Sequence, residues 1–357
     1  MKIIATIPVK NDAWFIEKSI QSLAAWADHV FVADENSDDG SHDIYDRLEY
    51  LKNVTFIRNR PKFSFNTPDL RNYQLDLARS FEGNNFVFEL HADEVMSAEI
   101  LLDKNRNNIL ESGIPGKAIM MPWITMWDKP NLYRNDASLW SNNSCWFGYC
   151  DDRKAKFEGP IFHGPRVPEC FLGNKVYIDS LSVMHYQFIN KGNELSKQAL
   201  YQVYERNHFP NKSTEHINKI YSIAFDTKNI NLDRIDSKHI DPWLKKGINL
   251  LEEYPDTALN WRDKEVLRNF KKNGADYYKN INIWYINWES KRQEAINLGI
   301  SDIPERVITD DRSLSAKLAQ LWVTKTQSYA FWRFDFLKLV MKKGPRKILN
   351  HLGVKCD

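Results

Sequence analysis

This 357-residue sequence has no long apolar run. A membrane-spanning helix needs about 18 or more consecutive apolar residues, so an integral helical membrane protein is not expected. Cysteine is scarce: Cys145, Cys150, Cys170 and Cys356 are all there are. Their spacing fits no zinc pattern, and so few in so long a chain make no disulfide scaffold. A reducing, cytosolic compartment is the expectation. Charge of one sign is lacking too. Lys and Arg number 49 against 47 Asp and Glu, a formal net charge of +2, which gives no global basic excess of the kind that coats nucleic acid. Internal repeats and low-complexity tracts are not evident. Met1 to Val9 is apolar, but Lys10-Asn11-Asp12 follows at once. That stretch is too short for the apolar core of a secretory signal and reads as structural.

What is present is an ordinary globular balance, 43% hydrophobic and 27% charged. The length suits two or three domains, or one large domain with an appendage. Lys2 to Val9 reads as a buried strand, and Asn11-Asp12 as a cap for a helix over 13–26. A strand over 29–34 runs into the turn-rich acidic loop DENSDDGS and a helix over 42–51. A strand over 54–58, a helix over 69–80 and a strand over 85–90 follow, and Ser97 opens a helix to about Glu111. Strand–helix alternation of this kind predicts a mostly parallel sheet with helices on both faces. In such sheets ligands bind outside the carboxyl ends of the strands, so the acidic loops 34–40 and 91–94 should face one crevice. From Lys117 to Gln187 short aromatic-rich strands predict an antiparallel extension. After Asn193 the pattern is mainly helical, with a break expected near 210–240.

Two acidic clusters at one sheet edge repel each other unless a cation or ligand donors lie between them. Asp93, directly after a strand, suits a hard cation such as Mg2+ or Mn2+ held together with substrate phosphates. His91 is a second candidate ligand for Mn2+. Capping of the following helix is the plainer role for Asp93 and Glu94.

The segment IIATIPVKNDAWFIEKSIQSLAAWADHVFVADENSDDGS resembles the nucleotide-binding start of glycosyltransferase family 2, whose members have the GT-A fold. RNYQLDLA followed by FVFELHADEV resembles that family's next block, where an Arg-Asn helix start precedes a strand ending in an Asp-x-Asp-type motif. The resemblance covers residues 1–100 well, is weaker over 117–205 and is absent from the tail. It implies a GT-A-like mixed sheet flanked by helices with a helical C-terminal extension. The glycosyltransferase domain would span 1–210, with 1–116 as nucleotide-binding half and 117–210 as acceptor-side half. The extension would span 211–357. It also implies a metal-dependent, hexosyltransferase-type enzyme using a nucleotide-sugar donor, Mn2+ or Mg2+, and a glycan or lipid-linked acceptor, by inverting single displacement. Position by position, Pro8, Lys10 and Asn11 would lie beside base and ribose. Asp34 or Glu35 would accept the nucleobase N–H, and Arg71 would lie near the diphosphate. Asp93 would touch the metal, and His91 stands where the family has its first Asp. FEGPIFHGPRVPE and SVMHYQF resemble a pattern of bacterial lipopolysaccharide-type members, in which a His-Glu pair precedes a His-Tyr pair. Here His163 is followed by Gly164. That makes Glu169 the expected catalytic base, with Asp152 and Glu158 in reserve, and His185 the metal ligand from the far side. Trp123, Trp127, Trp140 and Trp146 are candidates for a sugar-stacking floor.

The 315–355 segment mixes aromatics with Lys and Arg in a pattern that suits either packing on the catalytic domain or an anionic membrane interface. The expected location is cytoplasmic, at the inner face of the cell membrane if that contact forms, with no nucleic-acid partner. Two other classes stay open. A nucleotidyltransferase would normally carry a Gly-rich loop after the first strand, and PVKNDAW has no glycine. A non-catalytic sugar- or nucleotide-binding protein is the second.

Overall fold

The structure is a computed structural model, and it describes residues 1–63, 66–136, 141, 143–161, 164–222, 230–254 and 259–325. The chain divides into two compact units. One comprises 1–190 with 231–255, the other 191–230 with the residues from 256 onward.

The first unit is built on one sheet. Its parallel part consists of β1 (Ile3–Val9), β2 (His29–Asp34), β3 (Val54–Ile57) and β4 (Phe86–Glu89), in the order β3-β2-β1-β4. β1 is almost wholly apolar because both its faces are covered. Ile3, Ala5, Ile7 and Val9 pack toward α1 (Ile16–Ala24). Ile4 joins Leu75 and Ala78 of α3 (Thr67–Arg79) on the other side. In α1 the buried positions Ile16, Ile20 and Leu23 recur at helical spacing and form one apolar stripe. Asn66 caps α3, its side chain accepting from the Asp69 N–H, and Pro68 sits in the first turn where a missing N–H costs nothing.

Pro8 lies in a central strand, where proline normally breaks a ladder. Here the β1–β4 pairing ends at Thr6–Glu89, so the absent N–H falls beyond the ladder. The chain goes from β1 outward through β2 and β3, then crosses back to β4. The carboxyl ends of β1 and β4 therefore part at a topological switch point, the place where open α/β sheets form their crevice.

Beyond β4 the sheet turns antiparallel: β8 (Asn143–Cys150) pairs with β4 and β6 (Ala118–Trp127), and β6 with β7 (Lys129–Arg134). The short β9 (Lys175–Tyr177) and β10 (Val183–Phe188) both lie parallel to β6, and β10 is antiparallel to the short β5 (Glu94–Met96). β11 (Leu232–Arg234) pairs with β7, and α7 (Ser237–Lys245) buries Trp243, whose indole N–H donates to the Met96 carbonyl at 2.9 Å. The expected fold class, a mixed α/β sheet flanked by helices, is what the chain forms. The expected single helix from Ser97 is instead a short 3-10 turn, Ala98–Leu101, followed by α4 (Asp103–Glu111).

The second unit is helical. α5 (Lys191–His208), α6 (Thr214–Ser222), α8 (Trp261–Asn273) and α9 (Trp288–Asn297) pack around Phe270, Tyr278 and Trp288. Asp263 is wholly buried. It takes the Ser196 hydroxyl at 2.6 Å and Lys291 at 2.8 Å, and completes a capping box with Asn260. α10 (Leu314–Lys325) carries exposed Leu314, Leu318 and Leu321. Most of the 315–355 segment, from 326 on, lies outside the described residues. Among the described residues no helix is long and apolar enough to cross a membrane.

Candidate active site

The carboxyl ends of β1 and β2 are stitched to each other. Lys10 Nζ donates to the carbonyls of Glu35 (3.1 Å) and Asn36 (2.9 Å). Asn11 adopts a left-handed φ of 54°, which asparagine tolerates better than most residues. From there its side chain exchanges two hydrogen bonds with Asp38, and its N–H reaches the Ser37 hydroxyl at 2.7 Å. Half-buried Pro8 leads into this junction.

Asp34 and Glu35 part company here. Asp34 is fully buried. One carboxylate oxygen accepts from the Ser37 N–H (2.6 Å), with His42 Nε2 at 3.5 Å; the other accepts from the Tyr45 hydroxyl (2.5 Å). Burial, then the adjacent Asp34 charge, pushes the Tyr45 hydroxyl far above its ordinary pKa, so it stays a donor. Glu35 is partly exposed. Its carboxylate pairs with buried Arg60 at 2.8 Å, and Arg60 also donates to the Ala33 and Pro61 carbonyls. Of the two acids, Glu35 is the one that reaches solvent, and Asp34 holds the loop.

The turn after β4 carries three carboxylates in six residues. Glu89 lies in a buried fork with Arg71, at 3.0 Å from Nε and 3.2 Å from the second nitrogen. Burial alone would raise the Glu89 pKa. The Arg71 charge, then His91, outweigh it and hold the group well below the carboxylate range. Arg71 also donates to the Gly164 carbonyl at 2.7 Å. Glu94, fully buried, makes the same kind of fork with Arg166 (2.7 and 2.9 Å) and accepts the His91 N–H at 2.8 Å. Burial raises its pKa, Arg166 and His91 lower it more, and it settles at about 2.

Arg166 places a further N–H 3.2 Å from His91 Nδ1. A guanidinium only donates, so Nδ1 is the acceptor. The ring proton then sits on Nε2, 3.5 Å from Glu89 Oε1. His91 thus has its Nδ1 taken by Arg166, which leaves only Nε2 for the ligand role the motif suggested.

Asp93, between the two forks, meets His185 from β10. His185 Nε2 lies 3.5 Å from Asp93 Oδ2. The pairing of β10 with β5 sets this, since His185 stands opposite Glu94 in register. The His185 ring stacks on Trp123 at 4.9 Å and is 3% exposed, yet neither ring nitrogen makes a hydrogen bond. A buried imidazole with unused nitrogens beside a carboxylate fits a divalent cation that takes its other ligands from water and substrate phosphates. Among the described residues no cluster of three or more His, Cys, Asp or Glu could hold a metal by itself.

The expected bases have partners of their own. β8 runs antiparallel to β4, with Cys150 opposite Phe86, so Asp152 lies at the amino edge of the sheet, away from Asp93. There it closes a turn, accepting the Lys154 and Ala155 N–H groups at 2.8 Å each. Glu169 accepts the Glu158 N–H at 3.2 Å, and its other oxygen lies only 1.9 Å from where a Cβ at Gly159 would stand. One of its oxygens thus ties it to the 151–168 segment, and Glu158 is exposed. That segment straps α3: Arg79 forks onto Asp151, Asn72 bonds Phe157 in both directions, and Arg71 takes Gly164. His163 and Trp140 lie outside the described residues. Trp127 stacks on Phe188 beneath Arg134, as core rather than as a floor.

Sequence reasoning missed Glu89, Arg166 and Arg60.

No known family model matches the chain, and no curated protein does. Among solved structures, S. aureus TarS 1–349 is 14% identical over 84% of this chain and 92% of that one, with a TM-score of 0.36. The same fragment in complex with UDP-GlcNAc gives 12% identity over the same shares and a TM-score of 0.38. Mannose-6-phosphate isomerase from Helicobacter pylori gives 14% identity over 39% of this chain and 57% of that one, with a TM-score of 0.26. Likenesses of this strength carry no functional argument.

Proposed function

We propose that this chain is a GT-A-type glycosyltransferase that moves a sugar from a nucleoside-diphosphate donor to a hydroxyl of a glycan or lipid-linked acceptor. The observation that carries the reading is the meeting of Asp93 and His185 at the switch-point crevice, with Glu35 and Lys10 at the neighbouring strand ends. The sequence resemblance over residues 1–100 supports the same reading. Glu35, held as an acceptor by Arg60, suits a nucleobase with a ring N–H. Asp93 and His185 would hold Mn2+ or Mg2+, which supplies positive charge to the departing diphosphate. Arg71 and Arg166 are bound into their own ion pairs and serve to shape the turn rather than to grip phosphate. The reaction class is inverting single displacement, and the 315–355 segment, rich in Lys and Arg, would favour an anionic lipid surface near a lipid-linked acceptor.

The test is transfer or hydrolysis across a panel of nucleoside-diphosphate sugars with Mn2+ or Mg2+, for the parent and Asp93→Asn. We expect turnover with at least one donor, and a loss of about two orders of magnitude in the variant if the cation contributes several kcal/mol. Calorimetry showing no nucleotide binding with either metal refutes the reading. Binding without turnover would favour the non-catalytic alternative.

A further inference from the structure

Arg166 is the point where four parts of the first unit meet. It lies on the 151–168 strap, is 5% exposed, and reaches the turn after β4 by a bidentate fork onto Glu94. It also approaches His91 Nδ1 at 3.2 Å and the Glu89 carbonyl at 3.5 Å. Its guanidinium lies over two rings, Phe147 at 5.0 Å and Trp123 at 5.5 Å. Trp123 is the ring on which His185 stacks. One side chain is therefore connected to both members of the Asp93–His185 pair. It touches the first through the turn and the second through the indole.

We propose that Arg166 is a positioning residue. It fixes the 91–94 turn through Glu94 and His91, holds Trp123 through its ring face, and so keeps Asp93 and His185 opposed across the crevice. Lysine cannot replace it. An ammonium is a point donor, whereas this site uses a planar fork onto Glu94, a third N–H toward His91 and a flat face against an indole. Three directional demands on one group account for an arginine buried here. Charge alone would not require it.

The consequence for turnover rests on the glycosyl-transfer reading. The geometric core of the proposal does not, and the experiment separates them. Three full-length variants are compared with the parent. Arg166→Lys keeps the charge and loses the fork. The pair Glu94→Gln with Arg166→Met removes both buried charges together, so no ion is left unpaired and the chain is expected to fold. Trp123→Leu cuts the link to His185 and leaves the ion pairs alone. The first readout is the histidine ring nitrogen spectrum of protein labelled at histidine, with His91→Gln to assign the signal. The parent should show His91 protonated on Nε2, and both Arg166 variants should lose that fixed tautomer. The second is Mn2+ affinity by electron paramagnetic resonance, expected to weaken about 10–100-fold in all three variants, the scale on which supporting residues act on a metal site. The third is kinetics with the donor found by the panel. Turnover should fall by a similar factor, about 10–100-fold, while the donor KM stays within about threefold.

Folded Arg166 variants with the parent's His91 spectrum and the parent's Mn2+ affinity overturn the proposal. So does a rise in KM with unchanged turnover, which would make Arg166 a donor-binding group. If the parent transfers no sugar, the glycosyltransferase reading falls, and the spectrum and Mn2+ affinity still decide for or against Arg166.

Discussion

Asp34→Asn tests whether the two neighbouring acids have been assigned correctly. The wild-type carboxylate is wholly buried and receives the Ser37 N–H at 2.6 Å and the Tyr45 hydroxyl at 2.5 Å, with His42 at 3.5 Å. An amide of the same shape offers one acceptor oxygen instead of two. If the amide oxygen keeps the Ser37 N–H, the amide N–H₂ faces the Tyr45 hydroxyl, which must turn from donor to acceptor and give up its bond to a charged oxygen; in the other orientation the Ser37 N–H loses its acceptor. A buried polar group left unsatisfied costs about 1–3 kcal/mol, and more when the lost partner was charged. The upper half of that range is expected, because Asp34 is sealed from bulk solvent. For a unit of about 200 residues, 2–3 kcal/mol lowers the melting temperature by roughly 4–12 °C. Thermal unfolding followed by circular dichroism measures this. Donor affinity in the folded fraction should stay within about threefold, since Asp34 does not reach the crevice. Glu35→Gln is the counterpart. Its amide oxygen can still accept from buried Arg60, so its melting temperature should fall by less than that of Asp34→Asn. Its donor affinity should fall. A loss of donor binding in Asp34→Asn at unchanged melting temperature would refute the assignment.

Glu169→Gln, which the sequence resemblance marks as fatal to turnover, should leave kcat within about twofold. Its main effect should be a small loss of stability, because the amide keeps one oxygen for the Glu158 N–H; a large fall in kcat with normal folding would restore Glu169 as the base. In the helical unit, Glu289 accepts from Arg292, Gln293 and the Ile308 N–H, and these bonds, Arg292 first, hold its pKa at about 2. A carboxyl depressed on folding contributes stability above its unfolded pKa, and loses it as pH falls from the ordinary carboxylate range toward about 2. Urea unfolding at pH 6 and pH 3 should therefore show a larger acid loss in the parent than in Glu289→Gln, and equal losses would sink the claim.

The parallel half of the sheet was legible because its strands are fully apolar and each is followed by a helix with a regular stripe, as in Ile16, Ile20 and Leu23. The expected crevice followed from the strand–helix alternation, which puts both acidic loops at strand carboxyl ends. The difference between Asp34 and Glu35 was not legible. It depends on Tyr45, eleven residues away on α2 (Ser41–Arg47), turning its hydroxyl back to the end of β2. Pattern reasoning sees two acids at a strand end and has no means of knowing which one is sealed. The setting of Asp152 was not legible for a related reason. Asp152 follows a strand, as a site residue should, but β8 runs antiparallel, so its carboxyl end lies at the opposite edge. Strand direction in the second half is set by long-range pairing, and nothing local in NSCWFGYC encodes it. Arg166 pairs with a residue 72 positions earlier, which no periodicity reports.

The distribution of charge around the turn bears on whether a cation is needed for folding. Glu89, Asp93 and Glu94 lie close together, and three buried carboxylates with nothing to offset them would not be stable. Two are answered from within the chain, Glu89 by Arg71 from α3 and Glu94 by Arg166 from the strap. Each fork satisfies both oxygens of its carboxylate, which is the condition under which a buried pair repays its desolvation. Asp93 lies at the edge of the crevice, where His185 and solvent-derived ligands can share its charge. The turn should therefore fold without metal. A chelator should leave the melting temperature of the full chain unchanged to within about 1–2 °C, less than 1 kcal/mol for a unit of this size. Mn2+ added with a nucleoside diphosphate should raise it, by mass action on the folded state alone, by an amount that grows with concentration. A large drop on chelation, reversed by Mn2+, would mean that the ion holds the turn together and that the two arginine forks are not sufficient to do so.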